Sequence, residues 1–396
     1  MSQISKQKIK ANIWKTQVFK IVQNLAFFTP VAVLFWQENG LSLTEIMILQ
    51  SLFSVALVLL EIPSGYFADV FGRRPSLILA SVFYLVAAIG YSLGHDFGTF
   101  LIAELLWAVA CAFISGADSA LVYDSLQNVG EEKNYKRIWG SISFWAFLAV
   151  AFGGIVGGWI GSINLRWTWY AMIPTFALLI PIALSLQEPH RHRRVVKKGY
   201  MLELLKTIKS IFTNNLKLRW IIIYSAVILT FNQAALWLYQ PYMKETGLDI
   251  VYFGIAFASF NVVAAIGSKY AHLFEKLLGM KRVLIALPIF ISTAYFLMGN
   301  FAIVLGFTFA FLQQFVRGVK GPIITDHINK LTPSDMRATI LSAEGFVGRL
   351  GYAAVIPIAG WVADVYTLQQ AFNILGVTTL VVSGFVLLVL HRQKII

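Results

Sequence analysis

Twelve apolar runs, each about as long as a bilayer is thick, dominate this chain. They fall near residues 17–37, 44–68, 75–94, 97–124, 137–161 and 167–186, then 218–243, 251–272, 281–299, 301–326, 337–361 and 367–390. They are called spans 1 to 12. A transmembrane helix needs about 20 such residues. Lipid offers no partner to a bare backbone amide, which restricts these runs to helices. The expected fold class is therefore an all-α membrane protein with twelve transmembrane helices. Composition agrees: 13% of residues are charged, against about 25% in soluble domains. The one long polar break, from Gln187 to about Lys217, contains EPHRHRRVVKKGY and divides the spans six and six. The expected organisation is a six-helix bundle over 1–186, a basic linker over 187–217 and a second bundle over 218–396.

The net charge of +13 is distributed unevenly. Basic residues occupy the N-terminus, the connection with Arg73 and Arg74, and the connection Lys133–Arg137. They also occupy the linker, Lys276–Arg282, Lys330–Arg337 and the C-terminal tail. The opposite connections hold little beyond Arg166 and Lys244. Because basic loops stay cytoplasmic, both termini and the linker are expected on the cytoplasmic side. The charge is then topology, with no nucleic-acid partner. The basic N-terminus lacks a cleavable signal pattern and is expected to stay. Cys111, the single cysteine, suggests neither an intrachain disulfide nor a zinc site. No GxxxxGK[ST] loop or HExxH helix occurs. His190 and His192 belong to the linker's basic run, and no histidine lies within a span interior. A membrane-embedded enzyme is not expected, and neither a metal nor a cofactor is implied.

The halves echo each other. GYFADVFGRRPSLIL follows span 2, and KYAHLFEKLLGMKRVLIAL follows span 8. Asp124 ends span 4 and Arg137 opens span 5; Asp326 ends span 10 and Arg337 opens span 11. Gly157-Gly158-Trp159 matches Ala359-Gly360-Trp361. Matches in register argue for a duplicated six-helix unit, an architecture of transporters with a midplane site.

On these residues the chain resembles a major facilitator superfamily transporter. The most specific mark is Gly65-x-x-x-Asp69-x-x-Gly72-Arg73-Arg74, which is similar to that family's signature between its second and third helices. Glu61-Ile-Pro63-Ser and Ser115-Gly116-Ala-Asp118-Ser-Ala120-Leu-Val-Tyr123-Asp124 look like a bacterial branch of unassigned substrate. The resemblance implies alternating access in a bacterial inner membrane, with spans 1, 4, 7 and 10 lining the cavity. With no ATPase, the proton gradient is the expected energy source. One chain holds both halves, so a monomer binding lipid and a small-molecule substrate is expected. The signature is implied to latch the halves at the cytoplasmic side, the alternative being a plain positive-inside anchor. Gly65 would let a neighbouring helix approach, Gly72 would supply a positive φ, and Asp69 would meet a basic residue or a helix N-terminus. Glu61 is expected to support the same gate.

Ionisable residues inside spans are functional candidates by default. Span 4 carries Glu104, Cys111, Ser115 and Asp118, which an unbroken helix would hold within about 60° of one another. Span 1 offers Gln17, Asn24 and Glu38; span 7 offers Asn232, Gln233, Trp237 and Gln240; span 10 offers Gln313, Arg317 and Lys320. Glu38, Lys320 and Asp124 lie near span ends and are expected to serve packing or the interface. Glu344 and Arg349 on span 11 differ by about 140° on a helix and should not pair with each other. Glu104 or Asp118 is expected to carry the proton, with Arg317 and Arg349 offering charge to an anionic or zwitterionic solute. Two features depart from the superfamily's drug–proton antiporters. Ala112 stands where those carry an arginine, and Gly154 replaces the proline of their span 5 run. Export of a small organic compound is the leading expectation, with uptake of an anionic or zwitterionic metabolite as the alternative. A non-transporting sensor is a remote third reading.

Overall fold

The computed structural model describes residues 3–189, 213, 215–332 and 336–393. Most of the basic linker, with His190 and His192, lies outside the described residues. The described chain is helical, and ten of its helical stretches are long and apolar enough to cross a membrane. Spans 1 and 10 do not reach that standard, for different reasons. Span 1 is broken: one helix runs Asn12–Gln23, turns occupy 24–31, and a second helix runs Ala32–Glu38. Span 10 opens as a tighter 3-10 segment, Val304–Ala310, before the helix Phe311–Lys330. That helix carries Gln313, Gln314, Arg317, Lys320 and Asp326, too many polar groups for an apolar window.

Spans 4 and 7 are interrupted as well. Span 4 is a helix Phe97–Ile114 and a helix Ala117–Val129, parted at Gly116, whose φ is +77°. Span 7 is Leu216–Ala234 followed by Tyr239–Glu245. The continuous helices expected for spans 1, 4, 7 and 10 are thus corrected, and each break freed backbone groups that the hydrophobic pattern did not reveal. Inside a membrane such irregular backbone persists only where protein or a water-filled cavity surrounds it. Local contacts satisfy part of it: the Asn24 amide bonds the Lys20 and Ile21 carbonyls, and Ser115 N–H bonds Cys111 O at 3.0 Å.

Ordinary capping sets where span 4 begins. Asp96 accepts the Thr99 amide at 3.0 Å and its hydroxyl at 2.7 Å. These bonds favour the ionised carboxyl and hold Asp96 below the usual range.

The chain divides into two compact units. The first comprises Met1–Phe35, Ala56–Lys198 and Ile250–Ile255; the second comprises Trp36–Val55, Gly199–Asp249 and Ala256–Ile396. In the first unit span 3 packs along spans 4 and 6, and span 1 packs on span 5. In the second, span 9 packs along span 12 and span 7 along span 11. The pairings 3–6 and 1–5 therefore recur as 9–12 and 7–11, as a duplicated unit requires.

Span 5 shows why its glycines matter. Gly153, Gly157 and Gly161 recur every fourth residue and share one helix face. An added Cβ would lie 2.9 Å from Ala26 N at Gly153 and 1.9 Å from Phe27 O at Gly157. At Gly161 it would meet Val31 at 2.9 Å. The glycine face seats the non-helical stretch of span 1 backbone against backbone.

Candidate substrate and coupling site

In the first unit, polar groups gather below the break in span 1. Lys20 Nζ lies 2.9 Å from Asp118 Oδ2, with side-chain exposures of 18% and 8%. Asp118 Oδ1 accepts the Ser119 amide at 2.7 Å. One turn along span 1 from Lys20, Gln23 donates to Tyr84 at 3.3 Å, and the Tyr84 hydroxyl sits 3.2 Å from Cys111 Sγ. Asp118 reaches Lys20 because Gly116 restarts the helix just before it. Beside this network lies an aromatic cluster. Trp169 stacks on Phe28 and Tyr91 at 4.3 and 4.0 Å between ring centroids, and Tyr84 meets Trp107 edge-on at 4.9 Å.

Glu104 does not join Asp118. It is buried and accepts a hydrogen bond from Tyr91 of span 3. The single stripe from Glu104 to Asp118 is therefore corrected, since the break at Ser115–Gly116 removes the helical register on which it rests. Ser115 is exposed at that break. Asn24 turns back on its own helix, its amide donating to Lys20 O at 2.7 Å. Lys20 was the residue missed in sequence; its signal was a lysine within four residues of the apolar start of span 1.

In the second unit, Lys320 Nζ lies 2.9 Å from Glu344 Oε1, with exposures of 15% and 18%, and Ser225 donates to the same carboxylate oxygen. Spans 7, 10 and 11 thus meet at one carboxylate. Asn232 donates to Gln313 O at 2.8 Å, and Tyr239 donates to Gln313 Oε1. Trp237 donates from its indole to Tyr352 Oη at 2.9 Å, while Gln233 is exposed. Arg317 bonds Asn261 Oδ1 on span 8 at 2.8 Å. Arg349 lends its carbonyl to Ser54 Oγ at 3.3 Å.

The signature turn is held by its own unit. Arg73 bonds Asp69 Oδ1 at 2.6 Å and approaches Asp124 Oδ2 at 3.9 Å. Glu188, just past span 6, accepts the Arg73 and Arg74 amides at 2.9 and 2.8 Å. It caps span 3 as an anion at a helix N-terminus. Gly72 has φ +130°, and a Cβ there would lie 2.9 Å from that carboxylate. Gly65 is a correction: an added Cβ would meet nothing within 4 Å, so no helix presses on it. Glu61 is exposed, and its carbonyl accepts from Ser64. Asp326 pairs with Lys330 at 2.6 Å in an exposed position. Among the described residues neither Arg137 nor Arg337 forms an ion pair.

A profile of the Major Facilitator Superfamily matches residues 21–343. The chain belongs to that superfamily. It is therefore a transporter-family protein and a multi-pass integral membrane protein. YxaM, an MFS-type transporter of Bacillus subtilis, is 21% identical over 373 residues, covering 92% of each chain. Quinolone resistance protein NorA of Staphylococcus aureus is 20% identical over 397 residues, covering 95% of each. The crystal structure of the nucleoside transporter NupG superposes with a TM-score of 0.79 at 14% identity, covering 96% of this chain and 98% of that one.

Within the superfamily's plan, the polar groups of these two networks sit on spans 1, 3, 4, 7, 8, 10 and 11. Among the described residues each unit holds one largely shielded lysine–carboxylate pair, Lys20–Asp118 and Lys320–Glu344. Taking either partner of such a pair away is costly, because the remaining charge stays buried alone.

Proposed function

We propose that this superfamily member is a secondary transporter that exports a small organic solute in exchange for protons. In this reading twelve spans form two bundles, both termini are cytoplasmic, and the membrane is a bacterial inner membrane. The buried Lys20–Asp118 pair carries the proposal. Proton occupancy of Asp118 and its ion pair with Lys20 compete for the same oxygens. Protonating Asp118 releases Lys20, and deprotonating it restores the pair, so proton traffic is tied to a rearrangement between spans 1 and 4. Ala112 leaves span 4 without the arginine of the drug–proton antiporters, and Lys20 on span 1 supplies a cation to the same helix. The aromatic cluster around Trp169 suits an organic cargo, and similarity to proteins named for quinolone and multidrug resistance favours export. The energy source is the proton gradient, no cofactor is required, and the monomer is the working unit.

The test is drug-panel transport in proteoliposomes with an imposed pH gradient. Asp118→Asn should abolish gradient-driven transport while exchange without a gradient continues. Full gradient-driven transport in Asp118→Asn would falsify the assignment. Uptake of an anionic solute is the second reading, favoured by Arg317, and the direction of the pH-driven flux separates the two.

A further inference from the structure

The second unit contains a cation that its described carboxylates leave uncompensated. Lys320 has Glu344, whereas Arg317, six residues into the helix of span 10, has no carboxylate within ion-pair reach among the described residues. Among the described residues its hydrogen-bonding partner is the neutral Asn261 Oδ1 at 2.8 Å. The orientation of that amide is set from the other side, because Asn261 Nδ2 donates to Phe257 O at 3.0 Å. Spans 8 and 10 are also held close at this level. An added Cβ at Gly318 would lie 2.0 Å from Ala264 O, and one at Gly267 would lie 2.8 Å from Phe315 O. The guanidinium is thus positioned before any ligand arrives. Arginine has five N–H donors in a planar fork, and the bond to Asn261 leaves most of them available on an exposed side chain.

A second, independent observation lies one helical turn away. Gln313 and Gln314 are buried, yet Gln313 Nε2 and Gln314 Oε1 have no hydrogen-bond partner among the described residues. Residues three and four positions apart share a helix face, so both amides neighbour Arg317. They are tied to Tyr239, whose ring lies 5.2 Å from that of Phe260, the residue before Asn261. A fork of cationic donors, unused amide groups and an aromatic wall therefore share one corner of this unit.

We propose that this corner binds the carboxylate of an aromatic organic acid. Arg317 takes the carboxylate through two parallel N–H donors, the geometry that an arginine fork favours. Asn261 keeps the fork in plane, and the Phe260–Tyr239 pair, buried in the free chain, is the surface that the ligand ring uncovers on binding. The inference rests on the transporter reading only for the route of delivery, since the site itself is a binding site and needs no gradient.

The test is equilibrium binding to the full chain in lipid nanodiscs, using 2-naphthoate and its neutral counterpart 2-naphthamide without a pH gradient. The intact chain should prefer naphthoate by at least about tenfold, the size of a charge-assisted bond. Arg317→Gln should erase that preference, bringing naphthoate binding down to the level of naphthamide. Arg317→Lys should keep part of it. Asn261→Asp keeps the arginine but gives it an internal carboxylate, so the preference should also fall, which covers the case of a poorly folding Arg317 variant. Equal binding of both probes by the intact chain, binding of neither, or an undiminished preference in Arg317→Gln and Asn261→Asp overturns the proposal. Those outcomes leave the proton-coupling test with Asp118→Asn untouched, and the reverse also holds.

Discussion

Lys20 of span 1 and Asp118 of span 4 form an ion pair at 2.9 Å that is less than one-fifth exposed on either side. The pair exists because two helices break nearby, span 1 after Gln23 and span 4 at Gly116. The breaks bring a lysine and an aspartate from separate helices to one point.

The pair predicts a strongly non-additive stability pattern. Lys20→Met strands a buried carboxylate and should destabilise by about 3–5 kcal/mol, as should Asp118→Leu, which strands the ammonium. The double variant removes both charges and should recover most of that loss. Thermal unfolding in detergent gives the cycle; additive losses would mean that the two charges do not interact.

The glycine face of span 5 gives a steric prediction. Gly157→Val would drive a side chain into the Phe27 carbonyl, where even a Cβ would lie 1.9 Å away. Rigid backbone cannot yield as a side chain can, so the cost should reach or exceed the about 1–3 kcal/mol typical of overpacking. Gly140→Val, where a Cβ meets nothing within 4 Å, should leave the melting temperature nearly unchanged.

The contrast between these residues shows what was legible in sequence. The glycine-rich run of span 5 and the turn at Gly72 were legible in sequence, whereas the contact of Gly153, Gly157 and Gly161 with span 1 was not. Hydrophobic runs located the helices because lipid leaves them no other conformation. The breaks in spans 1, 4, 7 and 10 stayed hidden because tertiary contacts satisfy the freed backbone, and apolar residues continue through them. Hidden breaks then misplaced the polar residues, since Glu104 and Asp118 share a face only on an unbroken helix. Partners such as Tyr91 for Glu104 and Glu188 for the signature turn come from distant segments, which local spacing does not encode.

Glu188 leads to a prediction about the signature turn. Its carboxylate receives two amides at the start of span 3, an interaction worth about 0.3–1 kcal/mol at an exposed helix terminus. Glu188→Ala should raise hydrogen exchange at the Arg73 and Arg74 amides, with little effect on the remainder of span 3. Glu188→Asp, a methylene shorter, should restore part of the protection. Unchanged exchange in Glu188→Ala would show that another group caps the helix.

Asp364, at the far end of span 11, caps the start of span 2. It accepts the Leu43 amide at 3.0 Å, the Thr44 amide at 2.6 Å and the Thr44 hydroxyl at 2.5 Å. The seam continues inward through Ser51 Oγ to Ala353 O at 2.6 Å, and Gly360 lets the Leu43 carbonyl and the Met47 side chain come close. On the transport reading proposed above, spans 2 and 11 separate at this end during the cycle, and these bonds oppose that step. Asp364→Ala removes three bonds from an exposed carboxylate and should favour the parted state by about 1 kcal/mol, roughly a fivefold shift in population. The readout is labelling of Met47→Cys, buried in the seam, by a membrane-impermeant maleimide in a Cys111→Ser background. Adding Asp364→Ala should speed labelling several-fold, and Asp364→Asn, which keeps one acceptor oxygen, should fall between. An unchanged labelling rate would show that the seam opens without breaking the cap, and control of this end would then lie deeper, at Ser51 and Gly360.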